Sequence, residues 1–188
     1  TYGNDDQKQR FLKPLAAGTA ARIFTGAQLP PGANTVLMQE QGEAVPGDGL
    51  GAVRVRNVPT NIRTFGGDTE RHGNSIFIYE MANLCIAHLG HLHHTLSQQQ
   101  LAEIGRVDVV MVPVDGGATL DLDGMVEVLR ALKAPLMIPM HYFSSFTLDR
   151  FLQRVRQEWD VETAEVPSTL VSKTTLPPKP KVLVLPGR

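Results

Sequence analysis

The chain has a single cysteine, Cys85, so no intrachain disulfide can form, and that usage fits a reducing compartment. Cys85 lies in an apolar run and reads as a small buried hydrophobe rather than a reactive thiol. No apolar stretch approaches the ~20 residues needed to span a bilayer, and the segment from Thr1 has no charged-then-apolar leader pattern. The expectation is therefore a cytoplasmic protein with no membrane partner. Eighteen basic against nineteen acidic residues leave a formal charge of -1. No basic stripe interleaved with aromatics is present, so nucleic acid is not an expected partner. Histidine, too, is missing from a long stretch: none precedes His72.

What is there begins with those histidines. Five of the six fall between His72 and His94, four of them in His88-Leu-Gly-His91-Leu-His93-His94, and the sixth, His141, follows the apolar run ending Ile138-Pro139-Met140. A lone histidine after a strand often does no more than cap a helix or sit in a solvated loop. Four in one short loop, joined by another at the end of a distant strand, favour a metal site, because neutral imidazole binds zinc, iron or manganese near neutral pH. Metal-dependent hydrolysis of a small-molecule substrate is the first expectation.

With 42% hydrophobic and 20% charged residues the chain has the composition of a folded globular protein. Its first sixty or so residues carry Pro14, Pro30, Pro31, Pro46 and Pro59 between short β-prone runs at residues 21–24, 35–38 and 52–55, which reads as small β-structure with tight turns. Downstream the texture changes. Ser75–Glu80 and Leu84–His88 flank Met81-Ala82-Asn83, a hairpin signal. Ser97 and Gln100 form a capping-box pattern that opens a helix ending near Gly105. Val107–Val114 is nearly all apolar, as expected of a strand covered on both faces. Leu122, Met125, Val126, Leu129 and Leu132 fall on one helical face, with Asp121 and Asp123 as first-turn charges. Leu136–Met140 reads as a second buried strand. Thr147 is placed as the cap of a third helix, whose apolar face runs through Leu148, Phe151, Leu152, Val155 and Trp159. The tail holds two β-prone runs around the stiff spacer Leu176-Pro177-Pro178-Lys179-Pro180. This alternation argues for an α/β layer arrangement.

The stretch from about Asp68 to Phe151 resembles the second half of the metallo-β-lactamase superfamily, in particular its lactonase-like zinc-dependent hydrolases. The residues that carry the likeness are Gly73-Asn74-Ser75-Ile76-Phe77, His88-Leu89-Gly90-His91, the run from Val107 to Gly117 and Ile138-Pro139-Met140-His141. The resemblance implies an α/β (α+β) fold, half of an αββα sandwich, over residues 64–188. It also implies that His141 is a metal ligand. At the place of the family's metal-bridging carboxylate stands His91, which can ligate one ion but cannot bridge two as a carboxylate does. The family's middle histidine has no plain counterpart. Asp68 or His72 stands near its place, with Asp68 favoured, and the His-x-His-x-Asp-His loop is absent. The implied site is thus His91, His141 and Asp68 around one zinc, iron or manganese ion. His88 orients a ligand, while His93 and His94 support one or face solvent, and His93→Ala is expected to leave the metal in place. Asp115 and Thr119 stand where ligands gather at a strand end, or make a turn. Tyr142 either donates a hydrogen bond to substrate or packs as a half-buried aromatic.

Upstream, the run from Pro14 to Glu40, including Thr25-Gly26-Ala27 and Pro30-Pro31-Gly32, resembles molybdopterin molybdenumtransferase, with Asn61-Ile62-Arg63 continuing the likeness. It implies a β-rich segment over residues 1–63 in which Thr25 and Gly26 belong to an active-site loop, and it raises a molybdenum cofactor biosynthesis component as the alternative function. The family's acidic catalytic motif and pterin-binding domain are not found. Together the two likenesses imply a fusion joined near Arg63 or Thr64, with a non-catalytic remnant as a further alternative. A half-sandwich also implies an uncovered sheet face, through which a homo-oligomer is expected.

Overall fold

The computed structural model describes residues 54–64 and 67–186. The β-prone runs at 21–24 and 35–38, and Thr25 and Gly26, lie outside the described residues. The chain divides into two compact units, Thr1–Arg56 and Asn57–Arg188, and the second contains all six histidines.

Seven strands form one mixed sheet: β1 (Arg54–Arg63), β2 (Thr69–Met81), β3 (Leu84–His88), β4 (Val109–Pro113), β5 (Leu136–Met140), β6 (Asp160–Thr163) and β7 (Lys181–Val184), in the order β1-β2-β3-β4-β5-β7-β6. Three helices alternate with them: α1 (Gln98–Ile104), α2 (Leu122–Leu132) and α3 (Ser145–Val155). The fold is of the mixed α/β class. β1 hydrogen-bonds to β2, so the sheet continues upstream of the 63/64 junction read from the sequence. No helix among the described residues is long and apolar enough to cross a membrane.

β2 and β3 pair antiparallel with Met81 opposite Leu84, leaving a two-residue loop. Ala82 and Asn83 both take positive φ, 47° and 64°, as a hairpin whose turn follows the right-handed strand twist requires. The capping box of α1 is complete: Ser97 accepts from the Gln100 backbone while the Gln100 side chain accepts from Ser97, and the helix stops at Gly105 with φ 68°. β3, β4 and β5 run parallel, linked by α1 and α2. Their inward residues Ala87, Val110, Val112 and Met137 pack with Met125, Leu129, Phe151 and Val155 of the helices into the main core. On the other face Val109, Leu136 and Leu183 form a smaller cluster, against which Ala164, Val171 and Leu176 of the C-terminal segment pack.

Three local expectations change. Ser144, not Thr147, caps α3: its extended backbone lets Oγ accept the Thr147 N–H at 3.3 Å, and Thr147 is the third helical residue. α3 ends at Val155, so Trp159 does not extend its face. It packs half-buried on the core from the following turn, its N–H on the Val155 carbonyl. β6 then forms from Asp160-Val161-Glu162-Thr163, largely exposed and, among the described residues, paired with β7 alone. A polar edge strand of four residues has no apolar alternation by which to be read. Of the two β-prone runs in the tail only Lys181–Val184 forms a strand.

Asp108 ties these layers together. Its side chain is 6% exposed and takes ion pairs from Lys173 at 2.6 Å and Arg106 at 3.2 Å, while Oδ2 accepts the Cys85 N–H at 2.8 Å. Burial works to raise its pKa, but Lys173, the Cys85 amide and Arg106 outweigh it and hold the carboxyl below its ordinary 3.8. A depressed carboxylate contributes stability that is present above the unfolded pKa and lost as pH falls through the folded value. Asp108→Asn should therefore cost about 2–3 kcal/mol at pH 7 and should flatten the loss of stability below the ordinary carboxyl range. Urea unfolding at a series of pH values from neutral into that range checks both effects.

Candidate metal centre

Parallel strands in register end at one edge of a sheet, and the loops that leave them emerge side by side. Here His88 at the end of β3 stands opposite Met111, and Pro113 at the end of β4 stands opposite Met140 at the end of β5. Backbone hydrogen bonds then lace the three loops: Leu89 N–H to Met111 O at 3.1 Å, Val114 N–H to Met140 O at 3.0 Å and Leu120 N–H to Leu92 O at 2.8 Å. His91, Asp115 and His141 meet at this edge.

The Nε2 atoms of His91 and His141 lie 2.7 Å apart, and His141 Nδ1 lies 2.9 Å from Asp115 Oδ2. An ionised carboxylate only accepts, so the His141 proton sits on Nδ1 and its Nε2 presents a lone pair. His91 Nε2–H then donates to that lone pair. Asp115 is itself fixed, accepting the N–H groups of Gly117 at 2.9 Å and Thr119 at 3.0 Å, and the Thr119 hydroxyl at 2.7 Å. Its side chain is 4% exposed. Burial works to raise its pKa, but bonds from the Thr119 hydroxyl, the Gly117 and Thr119 amides and His141 prevail and bring it down to about 2. Burial lowers the pKa of His91, with the neighbouring His141 adding to the effect. His141 itself takes a left-handed backbone, φ 57°, a strained conformation for a residue with a side chain.

The loop that carries His91 is set by Asn74 of β2. Asn74 Oδ1 accepts the His91 N–H at 2.8 Å, while Nδ2 donates to Thr60 Oγ1 at 2.6 Å and to Leu89 O at 3.2 Å. Gly90 completes it with φ 59°, and a Cβ there would stand 2.5 Å from Asn74 Oδ1. The sequence marked Asn74 only as part of a likeness. Its positioning role shows once β1, β2 and the loop are together.

The remaining sequence candidates separate. Asp68 and His72 are exposed, and among the described residues no three His, Cys, Asp or Glu are arranged as they stand to hold an ion. Asp68 is thus not brought to the pair. It shapes its own loop by accepting the Thr64 N–H and hydroxyl on its carbonyl. His88 Nδ1 accepts the Gly90 N–H at 3.1 Å, and burial lowers its pKa. His94 bridges, Nε2 accepting from Asn61 N–H at 3.2 Å and Nδ1 donating to Thr95 O at 2.8 Å. Tyr142 gives its hydroxyl proton to Leu185 O at 3.1 Å and so ties the C-terminal segment to the end of β5. Thr119, buried, serves Asp115. His93 is expected from the sequence to face solvent or support a ligand, yet its Nδ1 is buried with no hydrogen-bond partner among the described residues.

Converging imidazole nitrogens, one tautomer fixed by a carboxylate and a further buried imidazole nitrogen left unpaired are a donor set suited to zinc, iron or manganese. The class is that of an α/β protein with histidines gathered at the carboxyl ends of parallel strands. The beta-lactamase superfamily domain family matches residues 19–141, well over half of the chain, and the chain belongs to that family. The match begins inside the segment likened above to the molybdopterin enzyme. A UPF0173 metal-dependent hydrolase of Thermoplasma acidophilum is 27% identical over 157 residues, covering 80% of this chain and 66% of that protein. One from Thermoplasma volcanium is 37% identical over 57 residues, covering 30% of this chain and 26% of its own length. A solved Thermotoga maritima structure, assigned to the Zn-dependent hydrolases of the metallo-beta-lactamase superfamily, superposes with a TM-score of 0.55 at 30% identity, over 71% of this chain and 64% of that one. The chain spans at most about two thirds of the length of these relatives.

Asn74→Ala should leave the His91 amide and the Thr60 hydroxyl without their partner. The expected outcome is a loss of about 2 kcal/mol in urea unfolding, with displaced His91 imidazole resonances in NMR spectra while those of His94 stay in place.

Proposed function

We propose that the chain carries the C-terminal side of a metal-dependent hydrolase site, in which His91 and His141 hold one divalent ion. The observation that carries this reading is the convergence of the two Nε2 atoms, with His141 pinned through Nδ1 by a carboxylate that remains ionised at neutral pH. The relatives named as metal-dependent hydrolases support the same chemistry. An ion bound there would acidify a water to a pKa near 7 and polarise the scissile bond of an ester, lactone or phosphoester.

The protein's own contribution is orientation. Asp115 keeps the His141 proton on Nδ1 and the Nε2 lone pair pointed at His91. Thr119 and the amides of residues 117–119 keep Asp115 from turning away. Asn74 and Gly90 keep His91 in range. Because imidazole cannot bridge two ions, His91 suits a mononuclear centre where the family's resemblance leads one to expect two metals. Phe143, 77% exposed and with its ring 5.1 Å from that of His141, offers an apolar surface beside the pair for the carbon part of a substrate.

The alternative, a component of molybdenum cofactor biosynthesis, is supported by the run from Pro14 to Glu40 and by Asn61-Ile62-Arg63. Tight binding of molybdate or a pterin by the full chain would favour it.

Elemental mass spectrometry on chain purified without chelator should find about one zinc, iron or manganese ion per molecule. His91→Ala and His141→Ala should each abolish stoichiometric metal. Retention of metal in both variants would overturn the assignment.

A further inference from the structure

His93 is the one histidine of the loop whose buried nitrogen has no task. Of its neighbours, His88 uses Nδ1 on the Gly90 amide and His94 uses both ring nitrogens on Asn61 and Thr95. His91 faces His141. Among the described residues, His93 Nδ1 is shut off from solvent and meets no donor or acceptor. Leaving a buried polar atom unpaired costs about 1–3 kcal/mol, so a native structure that keeps one calls for an explanation such as an ion or a water.

The placement of the ring points to the ion. Leu92, between His91 and His93, is fully buried in the main core, and the imidazoles on either side of it lie near each other. Their ring centroids are 5.7 Å apart and the planes are tilted by 58°. Two imidazoles on one tetrahedral zinc at about 2.05 Å place their centroids roughly 5 Å apart and their nitrogens roughly 3.3 Å apart. The His91–His93 separation is close to that spacing, whereas the His91–His141 nitrogens, at 2.7 Å, are drawn together by their mutual hydrogen bond and need to part by about 0.6 Å for an ion to enter.

We infer that His93 is the third protein ligand of this centre, giving Nδ1 to the ion that His91 and His141 hold through Nε2. The inference rests on the reading of His91 and His141 as a metal pair. Three protein nitrogens with one open position for water is the coordination of a catalytic zinc. It also supplies within this loop the third ligand that the exposed Asp68 does not. The expectation that His93→Ala leaves the metal in place is reversed.

The test is Co2+ titration of the full-length chain, followed by its ligand-field absorption, for the wild type, His91→Ala, His141→Ala, His93→Ala and His93→Cys, each first checked for folding by thermal unfolding. The inference expects His93→Ala to bind Co2+ at least about 100-fold more weakly than the wild type, a loss at the upper end of that seen when even an outer partner of a ligand is removed. It expects His93→Cys to bind Co2+ with a thiolate-to-cobalt charge-transfer band that the wild type, with Cys85 alone, lacks. Wild-type affinity in His93→Ala together with no such band in His93→Cys, while His91→Ala and His141→Ala lose the ion, would overturn this inference and leave the two-histidine reading standing. Retention of the ion in both His91→Ala and His141→Ala, or no binding by the wild type, would overturn the two-histidine reading and this inference with it.

Discussion

The carboxylate of Asp115 is the point on which the site depends. It follows the end of β4, gathers on Oδ1 the amides of the residues that come after it, and gives Oδ2 to the Thr119 hydroxyl and to the imidazole at the end of β5. One buried group thereby joins two loops, fixes a tautomer and sets the direction in which a lone pair points. Its depressed pKa, about 2, is the electrostatic trace of so many donors aimed at one place. The hydrogen bonds that keep it charged also make its burial tolerable, since an ionised carboxylate out of water is stable only when its lone pairs are met.

Much of the fold was legible in the sequence, for reasons that differ by element. The β2–β3 hairpin announced itself through Asn83, α1 through Ser97 and Gln100, and β4 and β5 through unbroken apolar runs that only strands covered on both faces show. The start of α3 was misplaced because Ser144 and Thr147 both carry cap-type hydroxyls three residues apart, and local composition cannot choose between them. The choice is made by the extended backbone at Ser144. β6 could not be read at all, for it is short, polar and held only by a strand some twenty residues later.

The site was legible in its residue types and less so in its partnerships. His91 and His141 stood out by clustering and by position at strand ends. Asp115 reads equally well as a turn and as a ligand-side group, and in the structure Oδ1 makes the turn while Oδ2 meets His141. Asn74 offered no chemical signal of its own, because an amide that positions a loop across three strands is recognised only when those strands are in place. Asp68 and His93 were weighed on spacing alone, and spacing says nothing of depth. One lies in solvent and the other has a nitrogen sealed from it.

The left-handed backbone of His141 sets folding and chemistry against each other at a single residue. A side chain in that conformation costs on the order of 1 kcal/mol or more, a cost that glycine would not incur. Glycine there would relax the backbone but would delete the imidazole and leave the buried Asp115 carboxylate short of one of its donors, so the strain and the hydrogen bond come as a pair.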